Sequence, residues 1–357
     1  MTLATRVPGG TLARHAVALI SGGLDSTLAA QLMLEQGIQL HGIYFSMLWG
    51  CCDKDKALAA ADTLGIPLMV YKVQEDYIQL IKQPKYGYGT QMNPCIDCRS
   101  YMFRLARRYM DELGASFVVT GEVLGQRPMS QMRRSLDIIE AESGLEGRLL
   151  RPLSAQLLEP TLPELLGIVD RDKLLAINGR SRREQVAQVT QRGVSEYAQP
   201  AGGCLLTDAE FATKVRDLLA HEERPGAWDM ELLTIGRHFR LGPSVKAVIG
   251  RNEAENRLLE RYQQEGKTLL VVPQFTGPSA LLVGPVTPAA QQLAVSLIGR
   301  YTKLEKVEGD PLAFRCGGEL LWMARRALDP SALALTPMAG PAAACQTGAC
   351  HAPATHE

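Results

Sequence analysis

Short apolar runs alternate with segments of helical apolar spacing through the first 210 residues of the chain. The first run, residues 16–20, leads into a glycine-containing turn and then into helical spacing over 27–36. Further strands are predicted at 39–45, 67–73 and 117–120, and further helices at 53–64 and 99–113. Because this alternation builds parallel sheets covered by helices, the sequence predicts an α/β fold with a doubly wound, mostly parallel sheet. Ligands of such sheets bind at the carboxyl ends of the strands.

The chain is longer than one ordinary domain. It has 357 residues, whereas a typical domain has roughly 100–200. Pro225 and Gly226 interrupt the pattern and suggest a linker near 221–228. A smaller α+β domain is predicted beyond it, with strands near 246–249, 268–272 and 280–283 and helices at 253–265 and 289–301. The predicted divisions are an N-terminal extension (1–15), an α/β domain (16–220), the second domain (229–328) and a flexible tail (329–357).

Charge and hydropathy exclude some classes of protein. The 38 basic residues are balanced by 38 acidic ones, so contact with a polyanion has to come from local patches. One such patch would contain Arg237, Arg240, Lys246, Arg251 and Arg257, although a solvated charged face is the more common explanation. No run of about 18 apolar residues occurs, and the first 15 residues lack an apolar core, so we expect no membrane association and a cytoplasmic location.

The turn after the first strand has the composition of a phosphate-binding loop. Its six residues are Ser21, Gly22, Gly23, Leu24, Asp25 and Ser26. A helix that begins here directs backbone N–H groups and a positive dipole end at one point, which suits a pyrophosphate. The serines can donate hydrogen bonds and Asp25 can hold Mg²⁺ against the phosphates. The alternative is an ordinary glycine-containing turn. The hexapeptide resembles the loop of the PP-loop ATP pyrophosphatase family, whose members adenylate a carbonyl or carboxyl oxygen.

Three of the eight cysteines are candidates for sulfur or metal chemistry. Cys95 and Cys98 precede a predicted helix starting near Arg99, where thiolates are stabilised, and Cys204 lies in a glycine-rich turn. Three cysteine ligands would leave one iron of a 4Fe-4S cluster open to hydrosulfide, whereas structural zinc takes four protein ligands. The competing hypothesis makes Cys98 and Cys204 a nucleophile and its disulfide-forming partner, with a persulfide on one of them.

Further stretches resemble the catalytic domain of the tRNA 4-thiouridine synthetase family. They are residues 98–102, 120–126 with 130–131, and 150–153, in that family's order. The resemblance implies that Phe45 and Gly121 border the adenine of ATP. It also implies that Gln126, Ser130 and Gln131 line the site near the target base, and that Cys204 takes part in sulfur transfer. Residues 93–98 also resemble the related tRNA 2-thiouridylases, and residues 249–256 resemble an RNA-binding domain of ribosome quality-control proteins.

These resemblances imply an ATP- and Mg²⁺-dependent tRNA thiolation enzyme that favours 4-thiouridine over 2-thiouridine. Its partners would be tRNA and a sulfur donor, either hydrosulfide or a cysteine desulfurase, and the family resemblance implies a homodimer. The family's N-terminal RNA-binding region and sulfur-carrying rhodanese domain have no counterpart here, so we expect tRNA binding elsewhere in the chain. Two alternatives stay open: a PP-loop ligase for a small molecule with zinc-bound cysteines, and a non-catalytic ATP- and RNA-binding protein.

Overall fold

The computed structural model describes residues 13–49, 54–192 and 203–338. The chain divides into two compact units. The first consists of Met1–Gly89 and Asn93–Gly202, and the second of Thr90–Met92 and Gly203–Glu357. None of the helices within these ranges is long and apolar enough to cross a membrane.

The first unit contains a five-stranded sheet in the order β3-β2-β1-β4-β5, in which every pair of neighbours is parallel. The strands are β1 (His15–Leu19), β2 (Gln39–Ser46), β3 (Leu68–Lys72), β4 (Phe117–Val119) and β5 (Leu149–Leu150). Because the chain runs outward from β1 to β3 and then returns to the other side with β4, the topological switch lies between β1 and β4. The carboxyl ends of these two strands therefore border the crevice where such sheets bind ligands.

Seven helices belong to this unit. They are α1 (Leu24–Leu34), α2 (Lys54–Leu64), α3 (Asp76–Lys82), α4 (Cys95–Glu112), α5 (Arg133–Ser143), α6 (Leu162–Leu165) and α7 (Arg183–Gln191). Leu28 and Met33 of α1 pack with Phe117 and Val119 of β4 in the core, all with 1% or less of their surface exposed. The α/β class with a doubly wound parallel sheet is confirmed.

Two sequence predictions about this unit are wrong. The helix predicted from Arg99 begins at Cys95, so both cysteines lie within its first turn. The strand–helix alternation was expected to continue to about residue 210, but β5 is the last strand among the described residues of the first unit. The chain beyond it carries Pro152, Pro160 and Pro163, which remove backbone donors that a further strand would need.

The second unit contains a six-stranded antiparallel sheet in the order β11-β10-β8-β9-β7-β6. Its strands are β6 (Arg237–Gly242), β7 (Val245–Ile249), β8 (Thr268–Pro273), β9 (Ala280–Val283), β10 (Leu312–Cys316) and β11 (Glu319–Met323). Its helices are α8 (Ala209–His221), α9 (Ala227–Leu232), α10 (Glu253–Arg261), α11 (Pro288–Arg300) and α12 (Ser331–Ala334). Side chains of α11 pack on one face of the sheet and Leu259 of α10 packs in a cluster on the other.

The compact units divide the chain at Gly203, earlier than the predicted linker. Helix α8 groups with the second unit, where the Lys214 ammonium donates to the carbonyl of Gly236 at 3.2 Å and Arg240 pairs with Asp217. Part of the predicted tail, up to residue 338, is described and includes α12. Residues 339–357 lie outside the described residues.

Candidate functional site

The turn between β1 and α1 is held together by its own hydroxyl groups. The Ser26 hydroxyl donates to the carbonyl of Gly23 at 3.0 Å and accepts the backbone N–H of Ser21 at 3.2 Å. The Thr27 hydroxyl donates to the same Gly23 carbonyl at 3.1 Å. Gly23 is the N-cap of α1 and has no side chain to cap it. The N–H groups of the first turn thus point outward without a side-chain acceptor, as a phosphate-binding helix requires.

Glycines at two positions allow this turn to pack closely. Gly22 has φ +74°, and a Cβ there would lie 2.5 Å from the carbonyl carbon of Lys56. Gly121 follows β4, and a Cβ there would lie 2.5 Å from the carbonyl carbon of Asp25. Because these contacts are to backbone, no side-chain movement could relieve them. The end of β4 therefore lies directly against the first turn of α1.

Asp25 is the acidic group of the site. Its Oδ2 accepts a hydrogen bond from Nε2 of Gln126 at 3.0 Å, whereas its buried Oδ1 has no hydrogen-bond partner among the described residues. The Oε1 atoms of Gln126 and Gln131 are likewise buried without a described partner. A buried oxygen without a donor is costly unless a ligand or ion supplies one. A carboxylate oxygen is a suitable ligand for Mg²⁺, so Asp25 fits the role predicted for it.

The loop after β4 carries the predicted base-contacting residues. The backbone N–H of Gly125 donates to the carbonyl of Gln131 at 2.7 Å, and that of Gln131 donates to the carbonyl of Arg127 at 3.0 Å. Ser130 and Gln131 are buried, while Gln126 reaches Asp25. The structure thus brings Gln126 into contact with the phosphate loop. Ser130 and Gln131 belong, like Gln126, to the loop that follows β4.

A buried ion-pair network supports this loop. Glu122 has only 2% of its side chain exposed and lies 3.2 Å from the guanidinium of Arg151 and 3.6 Å from that of Arg99. Arg151 also donates to Glu140 at 2.8 Å. Because a buried carboxylate that loses its partners is strongly destabilising, this network fixes the backbone that follows β4.

Phe45 lies near the carboxyl end of β2, the strand next to β1. Its ring is buried and meets the ring of Tyr71 edge-on, with centroids 5.9 Å apart. The position is at the same sheet edge as the phosphate loop, where the resemblance expects the adenine.

The two thiols of the first unit lie at the start of α4. Cys95 accepts a hydrogen bond from the side-chain amide of Asn93 at 3.2 Å, and both Cys95 and Cys98 are half-buried. Between them, buried Asp97 accepts the backbone N–H groups of Lys85 at 2.8 Å and Tyr86 at 3.1 Å. Asp97 therefore faces the protein and ties the preceding loop to the helix, while the thiols occupy neighbouring positions of the same turn.

Cys204 belongs to the second unit, at the start of a short 3-10 turn. Across the described ranges, no three His, Cys, Asp or Glu side chains are grouped so that they could hold a metal ion. Four other cysteines, at 51, 52, 345 and 350, lie outside the described residues.

Two arginines near the site were missed at the sequence level. The guanidinium of Arg182 lies 3.9 Å from Oδ2 of Asp25. Desolvation, followed by the charges of Arg99 and Arg182, lowers the pKa of Arg127, while Cys95 and Asp25 act in the opposite direction. The basic run at 180–183 is the one sequence signal that could have pointed to Arg182.

The predicted basic patch of the second unit is mostly engaged within the protein. Arg251 pairs with Glu255 at 3.0 Å, and Arg257 pairs with Glu253. Arg240 pairs with Asp217, and Lys246 has only 5% of its surface exposed. Arg237 instead lies over the ring of Tyr301 at 4.6 Å. Because most of these side chains already have partners within the protein, the geometry favours a charged face over a phosphate-contacting patch.

The first unit has a doubly wound parallel sheet, with the candidate phosphate loop between β1 and α1. Two family models match parts of the chain. Residues 11–156 match the model described as thiamine biosynthesis protein (ThiI), and residues 236–315 match the NFACT protein RNA-binding domain. The first region is thus similar to ThiI and the second to the NFACT domain, and similar curated relatives are tRNA-specific 2-thiouridylases.

Two similar relatives are tRNA-specific 2-thiouridylases. The one from Roseiflexus sp. is 26% identical over 61% of this chain and 65% of its own length. The one from Magnetococcus marinus is 28% identical over 64% of this chain and 66% of its own length. The chain therefore spans slightly less than two thirds of these relatives.

Solved structures with matching segments include a protein described as a predicted subunit of tRNA methyltransferase from Methanocaldococcus jannaschii. It has 18% identity, covers 52% of this chain and 92% of its own, and gives a TM-score of 0.30. An NH3-dependent NAD synthetase from Campylobacter jejuni has 13% identity, covers 63% and 84%, and gives a TM-score of 0.32.

Proposed function

We propose that the protein is an ATP-dependent tRNA sulfurtransferase that adenylates a uridine carbonyl and then replaces its oxygen with sulfur, with 4-thiouridine favoured over 2-thiouridine. The observation that carries this proposal is the 3.0 Å contact between Gln126 and Asp25. It joins the phosphate loop to the loop after β4 at the topological switch of the sheet. The match of residues 11–156 to the ThiI model supports the preference for position 4.

The roles of the first unit follow from its geometry. The N–H groups at the start of α1 bind the phosphates of ATP and stabilise the pyrophosphate that leaves. Asp25 would hold Mg²⁺, which supplies positive charge against those phosphates. Phe45 and Gly121 border the adenine, while Gln126, Ser130 and Gln131 face the target base. The uridine oxygen attacks the α-phosphate, and pyrophosphate is released.

Sulfur transfer forms the second half of the proposal. In one route hydrosulfide attacks the activated carbon directly and AMP leaves. In the other, a cysteine desulfurase places a persulfide on Cys98, its outer sulfur attacks the activated carbon, and AMP leaves; the Cys204 thiol then attacks the Cys98 sulfur, so that the thiouridine sulfur is released and a Cys98–Cys204 disulfide forms, which an external thiol reduces. A 4Fe-4S cluster held by Cys95, Cys98 and Cys204 would supply bound hydrosulfide, and no step here depends on it. The NFACT-type domain binds the tRNA, and two copies of the chain form the active dimer.

The test is to incubate the full chain with unmodified tRNA, Mg-ATP and sulfide, and to analyse the nucleosides by chromatography and mass spectrometry. We expect 4-thiouridine and tRNA-dependent pyrophosphate release. Appearance of 2-thiouridine alone would overturn the position, and pyrophosphate release that ignores tRNA would point to a small-molecule ligase. Iron and acid-labile sulfide measured after anaerobic purification test for the cluster, which the persulfide route does not require.

A further inference from the structure

The segment before α7 lies against the loop that follows β4. Leu124 and Asn178 form a parallel bridge, and the backbone N–H of Gly179 donates to the carbonyl of Leu124 at 2.8 Å. The Ser154 hydroxyl accepts the N–H of Leu124 at 2.9 Å and donates to the carbonyl of Ile177 at 2.6 Å. These contacts bring residues 177–182 to the candidate site, although they lie beyond the 11–156 region that the ThiI model matches.

Arg182 ends this segment as the N-cap of α7 and points toward the phosphate loop. Its Nη2 is 3.9 Å from Oδ2 of Asp25, which is too long for a hydrogen bond. That oxygen already accepts from Gln126 at 3.0 Å. Within the described residues, the Arg182 guanidinium donates no hydrogen bond, and 30% of its side chain is exposed. Its donors are therefore available to a ligand at the phosphate loop.

Arg127 follows Gln126 in the loop and contributes a second guanidinium. Its side chain is exposed although the surrounding protein partly desolvates its charge, and its donors have no partner in the part of the chain that the structure describes. Gln126, its neighbour in the chain, contacts Asp25 at 3.0 Å, so the loop carries Arg127 to the same end of α1 that Arg182 approaches. Arg99 is committed to buried Glu122 at 3.6 Å. A concentration of like charge beside an exposed loop is unfavourable unless an anion binds there.

We propose that Arg182 and Arg127 form a guanidinium clamp for the β- and γ-phosphates of ATP, beside the start of α1. The inference rests on the proposed adenylation. As the uridine oxygen bonds to the α-phosphorus, the bond from that phosphorus to the bridging oxygen breaks, and the pyrophosphate leaves with the electron pair. The clamp stabilises the charge that this group gains, because guanidinium groups bind phosphate oxygens through paired N–H donors.

The experiment measures binding of inorganic pyrophosphate and of AMP to the full chain by calorimetry, with Mg²⁺ and without tRNA or sulfide. The variants are Arg182→Gln and Arg127→Gln. The control is Arg133→Gln, since Arg133 is an exposed arginine of the same unit that pairs with Asp137 at 3.7 Å. Arg182 makes no capping hydrogen bond through its side chain, so glutamine there leaves the start of α7 intact.

Each variant of the clamp should weaken pyrophosphate binding by about tenfold or more, as expected for loss of a charged donor pair. AMP, which lacks the β- and γ-phosphates, should bind as to the unsubstituted chain, and Arg133→Gln should change neither affinity. Unchanged pyrophosphate affinity in both variants would overturn the clamp, as would an equal loss of AMP affinity. So would an unsubstituted chain that binds no pyrophosphate.

The same measurement separates the clamp from the proposed function. If tRNA is never thiolated but both variants lose pyrophosphate binding selectively, the clamp stands and thiolation falls. If tRNA is thiolated while both variants bind pyrophosphate normally, thiolation stands and the clamp falls.

Discussion

Three helices of the second unit begin differently from the two helices at the candidate site of the first unit. In the second unit, the side chains of Asp208, Asn252 and Thr287 cap α8, α10 and α11 by accepting a backbone N–H of the first turn, at 2.8–3.2 Å. In the first unit, the N-cap residues are Gly23 for α1 and Pro94 for α4, and neither caps its helix through a side chain. An uncapped helix start costs stability unless a ligand takes the place of the cap. At α1 and α4 the uncapped starts therefore lie where the chemistry is proposed.

The largest expected effect concerns Cys98, at the uncapped start of α4. Cys98→Ala should abolish thiolation with a cysteine desulfurase as the sulfur donor, by more than about 100-fold, because the thiol that carries the persulfide is lost. Pyrophosphate release with tRNA should stay within about twofold, because the nucleotide groups at α1 are unchanged. The matched control is Cys316→Ala, a half-buried cysteine of the second unit. Intact thiolation in Cys98→Ala would remove this thiol from the reaction.

The second prediction concerns a buried and therefore unfavourable charge in the second unit. Burial on β7 lowers the pKa of Lys246 to about 8. The folded state therefore binds fewer protons than the unfolded state between pH 8 and the ordinary value of 10.5, and its stability rises with pH over that window. Below pH 8, the folded protein bears the full free-energy cost of burying the charged Lys246. Lys246→Met should then raise the free energy of unfolding by roughly 3 kcal/mol at pH 7, at about 1.36 kcal/mol per pKa unit.

The gain from Lys246→Met should shrink steadily above pH 8. Urea unfolding of the full chain at pH 7 and pH 10, followed by tryptophan fluorescence, measures it. The exposed Lys306→Met serves as the control and should change stability little at either pH. An equal gain at both pH values would mean that side-chain packing, and not the buried charge, is responsible.

The third prediction adds to α1 a side-chain cap of the kind that helices of the second unit have. Gly23 has φ −89°, and a Cβ there would meet only the Ser21 hydroxyl at 3.5 Å, so a side chain fits. Gly23→Asp should cap α1 and stabilise the nucleotide-free protein by about 0.3 kcal/mol, because glycine is itself a tolerated N-cap residue. Its carboxylate should also weaken ATP binding by about tenfold, because it occupies and repels the phosphate position.

Thermal unfolding and ATP titration of Gly23→Asp measure the two effects together. Gly318→Asp is the control, since a Cβ at this position of the second unit would have no other group within 4 Å. If ATP binds Gly23→Asp as tightly as the unsubstituted chain, the start of α1 is not where the phosphates bind.

The smallest expected effect removes a cap from the second unit. Asn252→Ala deletes the acceptor of the Glu255 N–H, which lies at 2.9 Å, and should cost about 1 kcal/mol. Urea unfolding checks this cost. Asn252→Ser should restore most of it, and ATP affinity should be the same in both variants. A drop in ATP affinity in Asn252→Ala would show that the caps of the second unit serve more than its own helices.

Local patterns predicted some strands well and missed β5, β6, β10 and β11. The apolar runs before the phosphate loop and in the second unit lie within one or two residues of β1, β7, β8 and β9, because burial on both faces leaves a continuous apolar stretch. The start of α4 was placed too late. Its apolar periodicity becomes visible only after Cys98, and Pro94 marks the true beginning through its fixed φ rather than through hydrophobicity.

The candidate site was predicted unevenly for a related reason. The phosphate loop is contiguous, so its residues could be read together from the sequence. The approach of Arg182 to Asp25 and the pairing of Glu122 with Arg99 depend on tertiary contacts between distant segments. No periodicity or spacing encodes such contacts, and the basic run at 180–183 marks Arg182 without indicating which group it approaches.

The Asp97 carboxylate gives the paired cysteines a structural setting that their spacing alone does not describe. A motif search treats the two residues between paired cysteines as wildcards, but here the second one is buried and receives two backbone N–H groups of the preceding loop. Grafting only the two cysteines onto another helix would copy the sulfur atoms and lose the loop that frames them. Transfer of the paired cysteines to another protein therefore requires the aspartate and the loop that it binds as well.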